Sequence, residues 1–389
     1  MSMARRSERE SGKHSRIIAD VRYIGNKTRL LPFLLGTIRR LGLAPGAAHD
    51  AFSGTAAVGR ALKGAGWRVA SSDLMTYSYV FQRAYVVAQR TPSFAALRAG
   101  DPELRRALRS PALQESVAGK EGGALAAVCE YLARWVEPER GFMGVNFAPE
   151  GGRMYFTQEN ADRIDAIRHH LHEWWTSGLI EDDAYYVLLA SLIEGADRVA
   201  NTAGVYAAYM KGWQSNARRA LALRAEIPVR GARGATAHRA DAATVARTAG
   251  KVELIYIDPP YNARQYSGYY HIPEIIARGW FDAPPVLRGK TGLVAGEGQQ
   301  SDWCSGRRAG AALAELLAAT EARHALVSYN SEGLLSERDL KAALARAAID
   351  GAVQRFSRGY RRYRSDSDRI GRVYQGDRVR ELLYHIRLQ

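Results

Sequence analysis

Cysteine is nearly absent from this 389-residue chain: Cys129 and Cys304 stand far apart, with no CxxC spacing. That argues against a disulfide framework and a zinc ribbon, and it fits a reducing compartment. No apolar run approaches the roughly 20 residues of a membrane span, and the first residues lack the apolar segment of a secretory signal. A soluble, cytoplasmic protein is expected, with no membrane partner. Acidic residues are also short, 40 Asp and Glu against 55 Lys and Arg, for a formal charge of +15. This excess points to a polyanionic partner, although charge alone does not separate DNA, RNA and a membrane surface. The nine histidines show no metal-ligand spacing, and "RHHLHEW" reads as an amphipathic helix face, so no metal is expected. GxGxxG is missing too, which disfavours NAD.

What is present is a globular composition, 47% hydrophobic, laid out in alternating elements. Residues 1–16 are polar and without periodicity and are expected to form a mobile tail. From residue 17 the pattern is βαβ: "TRLLPFLLGTIRRLG" is a helix, "AAHDAFS" a short buried strand, "AAVGRALKGAG" a helix closed by glycine, and "WRVASSD" a second strand. Residues 91–234 carry long helical patterns with few strand signals. Strand-helix-strand alternation then returns in "ATAHRADAATVART" and "VELIYIDPPY", followed by the strand "HALVSYNSEG" and two closing strands around "QGD". The fold class is α/β, one domain of residues 17–90 and 235–389 interrupted by a helical insert.

Four stretches carry chemistry. "DAFSGTAAVGRALK" (Asp50 to Lys63) places Gly54 and Gly59 between a strand end and a helix start, where a nucleoside-bearing cofactor can lie against the backbone; a glycine needed only for tight packing is the bland alternative. Asp73 ends the next strand, where a carboxylate can accept two ribose hydroxyls or cap the following helix. In "RYIGNKTRLL", Tyr23 and Lys27 flank Gly25 and can face a ligand with a carboxylate, or merely open a basic helix. The fourth is "ELIYIDPPY". Two prolines after Asp258 fix φ and remove two N–H donors, leaving stiff free carbonyls beside a carboxylate. Such a pocket suits an exocyclic aromatic NH₂ group, and Tyr261 offers a face on which a planar base can stack. A capped helix would explain Asp258-Pro259 but neither Pro260 nor Tyr261.

Taken in order, "RYIGNK", "DAFSGTAAVG", "SSD" and "DPPY" resemble the Dam-type DNA adenine methyltransferases, the α-order class of amino-methyltransferases. The resemblance runs from about Val21 to the C-terminus, and includes "GRMYFTQENADRID", "ADRVANTAGVYAAYMKGW", "VSYNSEG" and "YRRYRSDSD". It implies a Rossmann-like S-adenosylmethionine-dependent sheet with helices on both faces, and it makes residues 91–234 a target-recognition insert. It implies S-adenosylmethionine as cofactor, with Tyr23, Lys27, Asp73 and Asp258 at matching positions and Asp241, less directly, near the cofactor's adenine. Asp50, Phe52 and Gly54 belong to the glycine block, which departs from the fuller FxGxG form because Ala56 replaces the last glycine.

The implied reaction is N6-methylation of an adenine rotated out of duplex DNA. The catalytic tetrad is Asp258, Pro259, Pro260 and Tyr261: Tyr261 stacks the base, and Asp258 with the Pro259 carbonyl holds its amino group. Lys211, Arg218, Arg219 and Arg224 in the insert, and Arg361, Arg362 and Arg364 in "SRGYRRYRSD", are candidate DNA contacts; solvated surface is the alternative for each. A cognate restriction endonuclease is a possible partner, and a solitary methylase is equally compatible. Cytosine-N4 methylation, RNA adenine methylation and a catalytically silent nucleic-acid-binding module remain as alternatives.

Overall fold

The computed structural model describes residues 22, 27–224, 226–294, 300–330, 333–361 and 378–388. The expectations for 1–16, Tyr23, Arg362 and Arg364 lie outside these residues, as does the side chain of Arg361.

"KVELIYI" is rich in β-branched and aromatic residues and forms the central strand, β4 (Lys251–Ile257). Before it come β1 (Ala47–Asp50), β2 (Arg68–Asp73) and β3 (Thr236–Arg239). After it come β5 (Leu287–Arg288), β6 (Leu293–Val294), β7 (Glu321–Asn330), β8 (Gln354–Arg361) and β9 (Arg378–Arg387). Seven of these form one sheet in the order β3-β2-β1-β4-β7-β9-β8, while β5 and β6 make a separate antiparallel pair. The first five strands are mutually parallel, and β9 runs antiparallel to both its neighbours.

A parallel sheet is covered on both faces, so its strands read as continuous apolar runs. In β4 the alternation of side chains sends Leu254 and Tyr256 to one core, with Leu31, Val58, Leu62 and Val69. Ile255 and Ile257 enter the other, with Leu313, Leu316, Leu340 and Leu344. The first core continues without a break into the long segment between β2 and β3, through Ile164, Ile167, Leu188, Leu189 and Leu192. Most of that segment is helical, led by Gln158–Thr176 and Asp182–Val199.

One local expectation changes. The pattern over 94–117 reads as continuous helix but is three short ones, because Asp101 and Ser110 cap new starts at Pro102 and Pro111. In the C-terminal stretch β9 pairs with β7 and β8, "SRGYR" is edge strand, and the strand expected before "QGD" lies outside the described residues. Among the described residues no helix is long and apolar enough to cross a membrane, and no cluster of three or more His, Cys, Asp or Glu could hold a metal ion.

Candidate active site

After β4 the chain does not turn into a helix; the next one is Tyr266–Tyr269, so Asp258-Pro259 is no helix start. Asp258 instead sits at the carboxyl end of the central strand. The ends of β1 and β4 lie side by side, with Asp50 opposite Tyr256 and the Ala51 N–H donating to the Tyr256 carbonyl at 3.0 Å. A cleft of about 940 Å³ opens here, walled by the loops that leave β1 to β4: Phe52 to Thr55, Asp73 to Met75, Asp241, and Asp258 to Tyr261. Ligands of open α/β sheets bind at this edge.

The turn after β1 has two residues in the left-handed region, Gly54 (φ 51°) and Ala56 (φ 59°). Ala56 therefore holds, with a side chain, the backbone shape that glycine takes most easily. The Gly54 N–H donates to Asp73 Oδ2 at 2.9 Å, and the Met75 N–H to Asp73 Oδ1 at 3.0 Å. Asp73 thus braces the turn while lining the cleft, but it does not cap the helix Thr76–Phe81: the Thr76 and Tyr77 N–H groups donate to Glu274 Oε2 at 2.8 and 3.1 Å. Its carboxyl is held above the usual range by burial, against the pull of those N–H donors.

Asp50 does not line the cleft. It is fully buried, its Oδ2 accepting the Gly59 N–H at 3.0 Å and the Ser53 hydroxyl at 3.2 Å, and burial pushes its pKa up to about 7. A Cβ on Gly59 would lie 3.0 Å from Asp50 Oδ2, Ser71 Oγ and Val86 Cγ2 alike. Gly59 is thus a packing glycine, whereas Gly54 faces the cleft.

Asp241 lines the exposed lip, where its Oδ1 accepts the Ala243 and Thr244 N–H groups at 2.9 and 3.3 Å and caps the helix Ala242–Thr248. Phe52 meets the buried Trp303 edge to face, ring centroids 4.9 Å apart. Next to Trp303, the Ser301 N–H donates to Gln265 Oε1 at 2.8 Å and Gln265 Nε2 donates to the Ser301 carbonyl at 3.2 Å. This reciprocal pair closes one side of the cleft.

The strongest electrostatic feature surrounds Lys27. Its ammonium is buried, 3.1 Å from Asp258 Oδ1, 2.6 Å from Glu381 Oε1, and 5.9 Å from the centre of the Tyr261 ring. The Ser328 hydroxyl also donates to Glu381 Oε1. Burial by itself would lower the Lys27 pKa, but Asp258 and Glu381 together hold it well above the usual lysine value. For Asp258, burial raises the pKa, Lys27 opposes and Glu381 adds to the rise, giving about 6. The Lys27 ammonium thus faces Asp258 Oδ1 as the partner of a buried ion pair, and the Ser328 hydroxyl also reaches this carboxylate.

Lys27, Gly54, Phe52, Asp73, Asp241 and Asp258 to Tyr261 thus converge on one cleft. Lys211, Arg218, Arg219 and Arg224 do not join it; they lie exposed on the irregular segment after the helix Asp182–Val199. That segment is tied to the chain beyond Tyr261 by the Tyr206 N–H donating to the Tyr269 carbonyl at 2.8 Å. Arg22 braces the approach to Lys27 by donating to the Ala200 and Thr202 carbonyls at 3.1 and 3.0 Å. Sequence reasoning missed Glu381, Ser328, Gln265 and Trp303. Glu381 left one signal, an acid inside the apolar strand "VRELLYHI", where a buried charge demands a partner.

Comparison with known proteins adds an independent finding. The model of the D12 class N6 adenine-specific DNA methyltransferases matches residues 23–284. The Type II methyltransferase M.NlaIII of Neisseria lactamica is 32% identical over 88% of this chain and 92% of its own length. The modification methylase StsI of Streptococcus sanguinis is 30% identical over 94% of this chain, and the Type II methyltransferase M.FokI of Planomicrobium okeanokoites 32% over 89%. The chain spans about half the length of these last two relatives, 52% and 50%.

Proposed function

This chain belongs to the D12 class N6 adenine-specific DNA methyltransferase family, and from that premise we propose that it methylates N6 of a flipped-out adenine at a specific site in duplex DNA, with S-adenosylmethionine as methyl donor. The observation that carries this reading is the meeting of Asp258, Pro259, Pro260 and Tyr261 with Lys27, Asp73 and the Gly54 turn in one cleft.

The cofactor fits the residues present. Asp73 accepts the Gly54 and Met75 N–H groups and the Ser78 hydroxyl, and its remaining lone-pair capacity can take a ribose hydroxyl. Gly54 lets the ligand approach the backbone, Phe52 offers an apolar wall backed by Trp303, and Asp241 at the lip would accept from an adenine amino group. By the sequence resemblance, Tyr23 is also a cofactor-binding residue. S-adenosylmethionine, when bound, supplies an electrophilic sulfonium methyl.

Tyr261 stacks the extruded base. The Asp258 carboxylate and the Pro259 carbonyl, both at the cleft, would take the two amino hydrogens and draw the N6 lone pair out of the ring plane. The amino nitrogen held in this way would receive the methyl group, and its surplus proton would pass to solvent. The enzyme's part is alignment and electrostatics.

Residues 91–234 serve target recognition, with Lys211, Arg218, Arg219 and Arg224 exposed to meet phosphates, and Arg361, Arg362 and Arg364 adding backbone contacts. The names of the relatives, modification methylases and Type II methyltransferases, support pairing with a cognate restriction endonuclease. The test is incubation with unmethylated genomic DNA and tritiated S-adenosylmethionine, followed by nucleoside analysis. N6-methyladenine is expected, and Asp258→Ala should abolish it. Label found only on cytosine, or Asp258→Ala retaining full transfer, overturns the proposal.

A further inference from the structure

We propose that Glu381 is a positioning residue for methyl transfer: it shares the Lys27 ammonium, so that this cation does not commit wholly to Asp258 and the Asp258 carboxylate stays open to an incoming amino group. The inference rests on the Asp258 reading above and deepens it.

The topology explains how a residue so near the C-terminus reaches the site. Ligand-facing residues of a parallel sheet lie at the carboxyl ends of its strands. β9 runs antiparallel to β7, so the start of β9 lies at that same edge, and Glu381 sits opposite Asn330, the last residue of β7. It is buried, and its described partners are Lys27 at 2.6 Å and Ser328.

A lone carboxylate facing Lys27 would form a closed pair, with Asp258 held as the counter-ion. Two carboxylates around one ammonium leave the cluster with one excess negative charge. The shorter contact goes to Glu381, 2.6 Å against 3.1 Å for Asp258, so the excess acceptor capacity falls on the residue that lines the cleft. Among the described residues, the other groups that face Asp258 are Tyr256 on its own strand, Asp50 from β1, Ser328 from β7 and Tyr261 across Lys27. None is a second cation, so Glu381 sets how tightly Lys27 holds Asp258.

The test is single-turnover methylation of unmethylated genomic DNA by the full chain across pH 5 to 9. The enzymes compared are wild type, Glu381→Gln and Glu381→Asp, with S-adenosylmethionine affinity and thermal unfolding measured on each. In Glu381→Gln, Lys27 turns to Asp258 alone. The rate should fall about 10- to 100-fold with cofactor affinity within about threefold, and the acid limb should move to lower pH by about one unit. Glu381→Asp keeps the charge and should restore the limb towards wild type. A Glu381→Gln enzyme that folds like wild type and keeps both its rate and its acid limb overturns the inference, as does a Glu381→Asp enzyme no better than Glu381→Gln. Those results leave the Asp258 reading intact, because that reading fails only on the Asp258→Ala and product tests.

Discussion

Replacing Lys27 with methionine keeps the length and apolar stem of the side chain and removes only its charge. Lys27 is 7% exposed and is the shared cation of two buried carboxylates, Asp258 and Glu381. Removing one partner from a buried ion pair costs roughly 3–5 kcal/mol, because the remaining charge is left uncompensated in a poor solvent for it. For a chain of 389 residues, whose unfolding entropy scales with length, that is a fall in Tm of about 5 °C at pH 8. The loss has a pH signature. With the ammonium gone, Asp258, already raised by burial and no longer opposed by Lys27, escapes its penalty by taking up a proton at a still higher pH. A group raised in this way favours the folded state at low pH and loses that advantage as pH rises through its folded value. The deficit of Lys27→Met should therefore shrink between pH 8 and pH 5. The double variant Lys27→Met/Glu381→Gln, which removes one of the orphaned charges, should recover part of it at pH 8. Calorimetry of the three proteins from pH 5 to 9 measures this. Wild-type stability at pH 8, a deficit that does not change with pH, or a double variant worse than Lys27→Met refutes the electrostatic account.

Four further outcomes follow from the geometry. Asp258, raised to about 6 chiefly by burial, must be ionised to accept hydrogen bonds, so the methylation rate should fall as pH drops through about 6; a rate flat from pH 8 to pH 5 contradicts this. Tyr261→Ala should weaken transfer about 10- to 100-fold by removing the stacking face while Tyr261→Phe stays near wild type, as steady-state kinetics will show. Gly59→Val forces carbon against Asp50, Ser71 and Val86 and should cost about 2 kcal/mol in urea unfolding; an unchanged midpoint rejects the packing role. Replacing Lys211, Arg218 and Arg219 with alanine should lower the salt slope of DNA binding by about one for each phosphate no longer neutralised, read from affinity against salt concentration, with an unaltered slope excluding them.

Much of the site was legible because its parts are local. "ELIYI" announces a buried strand by its apolar run, and the Asp-Pro-Pro-Tyr that follows lies within four residues of the strand end, so its place at the ligand edge follows from strand direction alone. Asp73 and Gly54 are similarly fixed by the ends of β2 and β1. Asp50 shows the limit. The same strand-end position that made it a cofactor candidate buries it behind the turn, where it holds Gly59. Which oxygen faces the cleft is decided by side-chain packing a few ångströms deep, which a strand-end position does not specify. Over 94–117 the misread was one of punctuation, since two prolines with capping residues end one helix and begin the next.

By itself the sequence determined the elements, their alternation and the chemistry of the Asp258 tetrad, because propensity, burial period and proline geometry act over a few residues. Only the tertiary structure decided the company that chemistry keeps. Lys27 and Glu381 are 354 positions apart and meet because β7 accepts an antiparallel neighbour, and Trp303, distant in sequence, packs behind Phe52. Contacts of that separation are set by strand order and register, which depend on how all the apolar faces are buried at once, and so no single stretch of the chain contains them.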